Sequence, residues 1–149
     1  MEKMLAEKIL TQVQEVFSNL KNPIEIALFV DDENCQYCSE TRQLLEEVSA
    51  ISDLIQLKVY DLKKNAAQAK EYGVDAAPVF LLLGKDGEKV INYGVRFMGI
   101  PSGHEFTSLI NDILTVSLQD SGLSPETREF LAANTTPIHL QVFVTPTCP

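Results

Sequence analysis

The sequence brings two thiols within reach of each other at Cys35-Gln36-Tyr37-Cys38. A pair at this spacing can close into a disulfide and reopen, so it can carry two electrons. Ile24 to Val30 precedes it as a short apolar run. Cys38, Thr41, Leu44, Leu45, Val48 and Ile51 follow at helical steps. The pair is therefore expected where a strand hands over to a helix, with both sulfurs in the helix's first turn. Unpaired backbone N–H groups and the helix dipole favour an anion there. A thiolate is that anion, which makes Cys35 the expected nucleophile and Cys38 the resolving thiol. Two blander readings stand beside this one: half of a zinc site, or two inert packing thiols. Zinc usually needs four ligands, and His104, His139 and Cys148, the remaining candidates, are not at ligand spacing. Asp31, Asp32 and Glu33 just upstream read as a solvated loop. If they face the sulfurs, they oppose the helix effect, raise the thiolate pKa and make ionic strength matter.

The surrounding pattern supplies the elements that must hold this pair. Leu5, Ile9, Val13, Val16, Phe17 and Leu20 form one stripe of an opening helix that Asn22-Pro23 closes. Strands are expected at 24–30, 55–61, 79–83 and 88–93. A short helix over 65–72 ends on Gly73. Lys85-Asp86-Gly87 turns the last two strands into a hairpin. Ser102 and Glu105 have capping-box spacing and start a helix through Leu118. The expected fold is α/β: a four-stranded mixed sheet with helices on both faces and an extra N-terminal helix, over residues 1–118. Residues 119–149 read as a linker, a helix that opens on Ser124-Pro125, and a strand at 138–144. Ile24-Glu-Ile-Ala-Leu-Phe-Val30 and Ile138-His-Leu-Gln-Val-Phe-Val144 both end in Phe-Val and lead to a Cys, Cys35 and Cys148. This internal repeat predicts a truncated second unit of the same kind.

That order of elements, with Pro78 opening the hairpin, is the order of the thioredoxin fold. Cys-Gln-Tyr-Cys, the opening helix, Gly99-Ile100-Pro101-Ser102-Gly103-His104-Glu105-Phe106 and the final Thr-Pro-Thr-Cys-Pro resemble the protein disulfide oxidoreductases. These are glutaredoxin-like proteins of two fused thioredoxin-fold units. The resemblance implies that Cys35 is the nucleophile and Cys38 its partner. It makes Pro78 a cis-proline facing the pair. Ala77 then offers its backbone to an extended substrate, and Gly99 is the small residue that lets a substrate approach. Gln36 and Tyr37 form part of the groove wall. Cys148-Pro149 matches the first half of a second Cys motif. At Phe29 the sequence departs from the thioredoxins, which carry a buried Asp there, so the proton acceptor for Cys38 is open. His104 and His139 read as solvated.

The expected function is thiol–disulfide exchange that reduces, forms or shuffles protein disulfides, with no cofactor beyond the redox-active disulfide and no metal. Two alternatives are the disulfide-reducing N-terminal module of an alkyl hydroperoxide reductase flavoprotein, and a non-catalytic binding module. In the first of these the resemblance implies a first unit without its Cys pair, against which Cys35 and Cys38 stand. The expected partners are protein disulfides or dithiols and a thioredoxin-reductase-like flavoprotein. A net charge of −9 disfavours nucleic acid and anionic membranes. Three cysteines are too few for a secreted scaffold, and Glu2, Lys3, Glu7 and Lys8 have no apolar block behind them, so no signal peptide is visible. A cytoplasmic location follows as the expectation. An orphan strand at 138–144 with Cys148 beside it predicts that two chains associate and that reductant lowers the dimer fraction.

Overall fold

The computed structural model describes residues 3–148; Glu2 and Pro149, named above, lie outside them. Helix α1 (Glu7–Phe17) leads into strand β1 (Ile24–Val30), helix α2 (Cys38–Ser49) and strand β2 (Ile55–Asp61). Helix α3 (Ala66–Tyr72), the hairpin β3 (Val79–Asp86) and β4 (Lys89–Met98), and helices α4 (His104–Leu118) and α5 (Pro125–Ala132) complete the order. The sheet runs β2-β1-β3-β4. β1 pairs parallel with β2 and antiparallel with β3, and β3 pairs antiparallel with β4. This is a thioredoxin-like fold.

β1 is apolar at six of its seven positions and buried along its whole length, as a central strand covered on both faces must be. Ile24, Ile26, Leu28 and Val30 point to one core, together with Val13 and Phe17 of α1, Leu44, Leu45 and Val48 of α2, and Leu109 and Ile113 of α4. Ala27 and Phe29 point to a smaller core with Val79, Leu81 and Leu83, under Ala69 of α3. Gly73 closes α3 in the left-handed conformation, and the Ser124 side chain caps α5 by accepting from the Thr127 N–H.

Several boundaries differ from the expectation. β4 continues to Met98 instead of stopping at Tyr93. Gly94, at φ +79°, lies in an irregularity of the β3–β4 ladder, and the strand resumes beyond it with Val95 and Phe97 packed on the core. The Ser102–Glu105 capping box does not form: α4 starts one residue later, with Gly103 at its cap and no side-chain cap bond. The expected strand at 138–144 pairs with nothing among the described residues and takes no regular structure. Strand geometry needs a neighbour to take its N–H and C=O groups, and none reaches it. Its Ile138, Leu140, Val142 and Phe143 are exposed. The segment beyond it does touch the body of the molecule, since a Cβ at Gly103 would collide with the Pro146 carbonyl. No helix among the described residues is long and apolar enough to cross a membrane.

Candidate functional site

In a parallel βαβ unit the C-terminal ends of both strands lie side by side, and register pairs Val30 with Asp61. β3 and β4 bring the start of one and the end of the other to the same edge, through Val79 opposite Met98. The loops that follow β1, β2 and β4 and the one that precedes β3 therefore meet at one end of the sheet.

Cys35 and Cys38 form a disulfide there, with a Cα–Cα distance of 5.6 Å. Cys38 is buried and Cys35 is half-buried. Only Cys38 stands in the helix: α2 begins at Cys38, so the expectation that both sulfurs share its first turn is corrected. Gln36 and Tyr37 occupy a turn, and Tyr37 sits at φ +69° as the N-cap. That left-handed residue swings the chain into the helix, where Thr41 N–H donates to the Tyr37 carbonyl at 2.9 Å. Tyr37 and Gln36 are both exposed beside the pair.

The Ala77–Pro78 peptide is cis, the isomer the resemblance implies. Gly99 N–H donates to the Pro78 carbonyl at 2.8 Å, which ties the hairpin's two ends together. Among the described residues, no backbone hydrogen bond engages the N–H or C=O of Ala77. Ala77 and Cys35 pack against the same core cluster, to which Cys38 belongs. Gly99 has φ +92°, a conformation L side chains rarely adopt, and open space where a Cβ would stand. His104 and His139 are exposed. Cys148 is exposed and stands in a turn closed by its own N–H on the Thr145 carbonyl. Pro149, the next residue of that partial motif, is outside the described residues. Among the described residues, no group of three His, Cys, Asp or Glu side chains could hold a metal.

The acidic stretch before the pair is not simply solvated. Asp31 and Asp32 line a cavity of about 260 Å³ with Val30, Cys35, Cys38, Ser39 and Arg42. They are also clamped to the loop after β2. Lys64 bonds Asp32 at 2.6 Å, and Lys63 pairs with Glu33 and, at 3.6 Å, with Asp31. The Glu33 N–H, then that of Asn34 and the charge of Lys63, hold the Asp31 carboxyl below its usual range. Asp61 is lowered likewise, first by the Lys64 N–H, then by those of Asp32 and Lys63. Sequence reasoning missed Asp61, Lys63 and Lys64 as neighbours of the site. The parallel β1–β2 pairing was the signal that could have placed them there.

Phe29 stacks on Tyr60 at 5.2 Å and carries no proton acceptor. The buried carboxylate on the same face of β1 is Glu25, four residues down the strand and so about 13 Å away. Glu25 Oε2 lies 2.7 Å from Lys58 Nζ and 3.8 Å from Lys85 Nζ. It belongs to the far end of the sheet.

The family model of a domain of unknown function (DUF7088) matches residues 9–95, which include the Cys pair and Pro78. The AhpF component of alkyl hydroperoxide reductase from Pseudomonas aeruginosa is 31% identical over 126 residues, 85% of this chain and 21% of that protein. The crystal structure of a protein disulfide oxidoreductase from Aeropyrum pernix superposes with a TM-score of 0.86 at 26% identity, over 97% of this chain and 61% of that one. The NTD_N/C domain of alkyl hydroperoxide reductase AhpF from Enterococcus faecalis gives 0.74 at 25% identity, over 84% of this chain and 58% of that one. The chain thus spans about a fifth of the length of its curated relative.

Proposed function

The chain belongs to the DUF7088 family, and from that premise, with a thioredoxin-like fold built around Cys35–Cys38, we propose that it is a thiol–disulfide oxidoreductase acting on protein disulfides or dithiols. The observation that carries this reading is the disulfide itself, with a half-buried Cys35 and a buried Cys38 at the start of α2. When the pair is reduced, the Cys35 thiolate attacks a substrate disulfide and a mixed disulfide forms. Cys38 then attacks Cys35 and releases the reduced substrate. The unengaged backbone of Ala77, the exposed Gln36 and Tyr37 and the open face at Gly99 support a groove for an extended substrate segment.

The identity to the AhpF component of alkyl hydroperoxide reductase favours a second, narrower reading, in which the chain is the disulfide-reducing module that works with a thioredoxin-reductase-like flavoprotein. The Phe-Val-then-Cys repeat supports reading residues 119–149 as the opening of a second unit, and the exposed Ile138–Val144 segment supports association of two copies. The paucity of cysteines supports work in the cytoplasm. The test is insulin reduction by dithiothreitol with wild type, Cys35→Ser and Cys38→Ser. Wild type accelerates turbidity, Cys35→Ser does not, and Cys38→Ser traps mixed disulfide. Iodoacetamide labels Cys35 faster than Cys38 in the reduced protein. Equal insulin turnover by wild type and Cys35→Ser would leave a binding module as the reading.

A further inference from the structure

Three polar or charged residues among those described are fully buried: Glu25, Thr41 and Ser117. Two are committed elsewhere. Glu25 is held by Lys58 and Lys85. Ser117 Oγ accepts from the N–H groups of Lys21 and Asn22 and donates to the Asn22 carbonyl. Thr41 is different. Its side chain is wholly buried, and its Oγ1 has no hydrogen-bond partner among the described residues in the disulfide form. A helical threonine usually turns its hydroxyl onto the carbonyl four residues back. Here that carbonyl, on Tyr37, accepts the Thr41 N–H and not the hydroxyl.

Thr41 stands three residues after Cys38, on the same buried stripe of α2. Residues at that spacing are neighbours on a helix surface. Helical side chains lean toward the helix N-terminus, so the Thr41 side chain lies toward the turn that carries Cys38. A buried hydroxyl without a partner is costly, and reduction creates a new acceptor one turn away on the same buried stripe. When the disulfide opens, the Cys38 sulfur becomes a thiol or thiolate against the larger core, whose Leu28, Val30 and Leu45 supply no acid or base.

We infer that Thr41 is a positioning residue whose hydroxyl donates to the Cys38 thiolate, lowering its pKa and readying it for the resolving step. This rests on the reading of Cys38 as the resolving thiol. In that step Cys38 S⁻ attacks Cys35 Sγ. The bond between Cys35 and the substrate sulfur breaks, the Cys35–Cys38 bond forms, and the substrate sulfur leaves as a thiolate that takes a proton from water. The two electrons gained by the substrate disulfide come from the Cys35/Cys38 pair. The hydroxyl is satisfied only in the reduced form, so it stabilises the dithiol relative to the disulfide. Other charged groups around the pair are Asp31 and Asp32 of the β1–α2 loop, with Lys63 and Lys64 behind them, and Arg42 on α2. All of these stay in place in the test.

The test uses Thr41→Val, which keeps the shape and removes the hydroxyl, with Thr41→Ser as the rescue. In a Cys35→Ser/Cys148→Ser background, which leaves Cys38 as the one cysteine of the sequence, the Cys38 thiolate is titrated by its absorbance near 240 nm. Thr41→Val is expected to raise the Cys38 pKa by about one unit, a tenfold loss of thiolate near neutral pH. Release of substrate from a preformed Cys35 mixed disulfide slows by about threefold, because a more basic thiolate is also a better nucleophile, and the equilibrium against a glutathione buffer shifts toward the disulfide. Thr41→Ser restores all three, while Cys35 alkylation by iodoacetamide keeps its rate. An unchanged Cys38 pKa and release rate in Thr41→Val overturns the inference. If Thr41→Val does not fold, Thr41→Ser against Thr41→Ala reads the same difference. The titration needs no turnover, so failure of insulin reduction would strike the proposed function and leave this result to stand on its own.

Discussion

At the scale of single residues, Tyr37 holds the turn between the two cysteines at φ +69°. The left-handed region costs a residue with a Cβ about 1–2 kcal/mol, so this turn holds strain that glycine would relieve. Tyr37→Gly is therefore expected to be more stable than Tyr37→Ala by about 1 kcal/mol, the reverse of the usual order in a helical segment. Urea unfolding of the two oxidised variants measures it. A more stable alanine variant would mean that the turn relaxes to negative φ. The sequence hides this conformation, because Gly or Asn normally announces it and here an aromatic residue adopts it. The Cys pair, by contrast, was readable from spacing, because two thiols with two residues between them after an apolar strand have few other uses. Thr41 was legible only as one more position in a helical stripe, since nothing in a sequence marks a hydroxyl as lacking a partner.

At the scale of elements, periodicity located the helices and the core strands, and it erred at their ends, where single contacts decide. The loop that carries Asp31, Asp32 and Glu33 illustrates why. Its charges look solvated in sequence, yet Lys63 and Lys64, roughly thirty residues on, pair with them across the parallel strand ends. Asp31 and Asp61 are both depressed below the ordinary 3.8, Asp31 chiefly by the N–H of Glu33 and Asp61 chiefly by that of Lys64. A depressed carboxyl contributes stability that is complete above its unfolded pKa and fades as pH falls through the lower folded one. The clamp is thus expected to hold at neutral pH and to loosen below about pH 4, with faster amide exchange at Glu33, Asn34, Lys63 and Lys64. Amide exchange read by NMR, set against that of β1, tests this. The α1–β1 connection has its own anchor in Ser117 of α4, whose hydroxyl makes three bonds to Lys21 and Asn22 at 2.8 to 3.2 Å. Ser117→Ala strands these groups in a part-buried place and is expected to cost about 2 kcal/mol. Chemical denaturation reads the loss, and a cost below a few tenths would show that water replaces the hydroxyl.

At the scale of the whole molecule, the four-stranded mixed sheet with helices on both faces was legible, because a βαβ unit followed by a hairpin leaves few other arrangements. The tail was not. Ile138 to Val144 has a strand's composition and no neighbour to pair with among the described residues, and Leu140, Val142 and Phe143 are more than 80% exposed. An apolar run in that state is expected to bring two copies together. In size-exclusion runs the dimer fraction should rise with concentration, and Val142→Asp with Phe143→Asp should abolish it without changing Cys35 alkylation. Cys148→Ser should remove only the share that reductant also removes. A monomer at every concentration would exclude the association. One further consequence follows from the short span of the Cys35–Cys38 bridge, whose ends are three residues apart in sequence. A cross-link over so few residues restrains the unfolded chain by about 2 kcal/mol, against almost 5 for a loop of a hundred residues. The sheet, by contrast, is held by partners as distant as Ile24 and Gly84. The bond that takes up two electrons when it opens is therefore one that restrains little of the chain, and the long-range pairings of the sheet do not run through it.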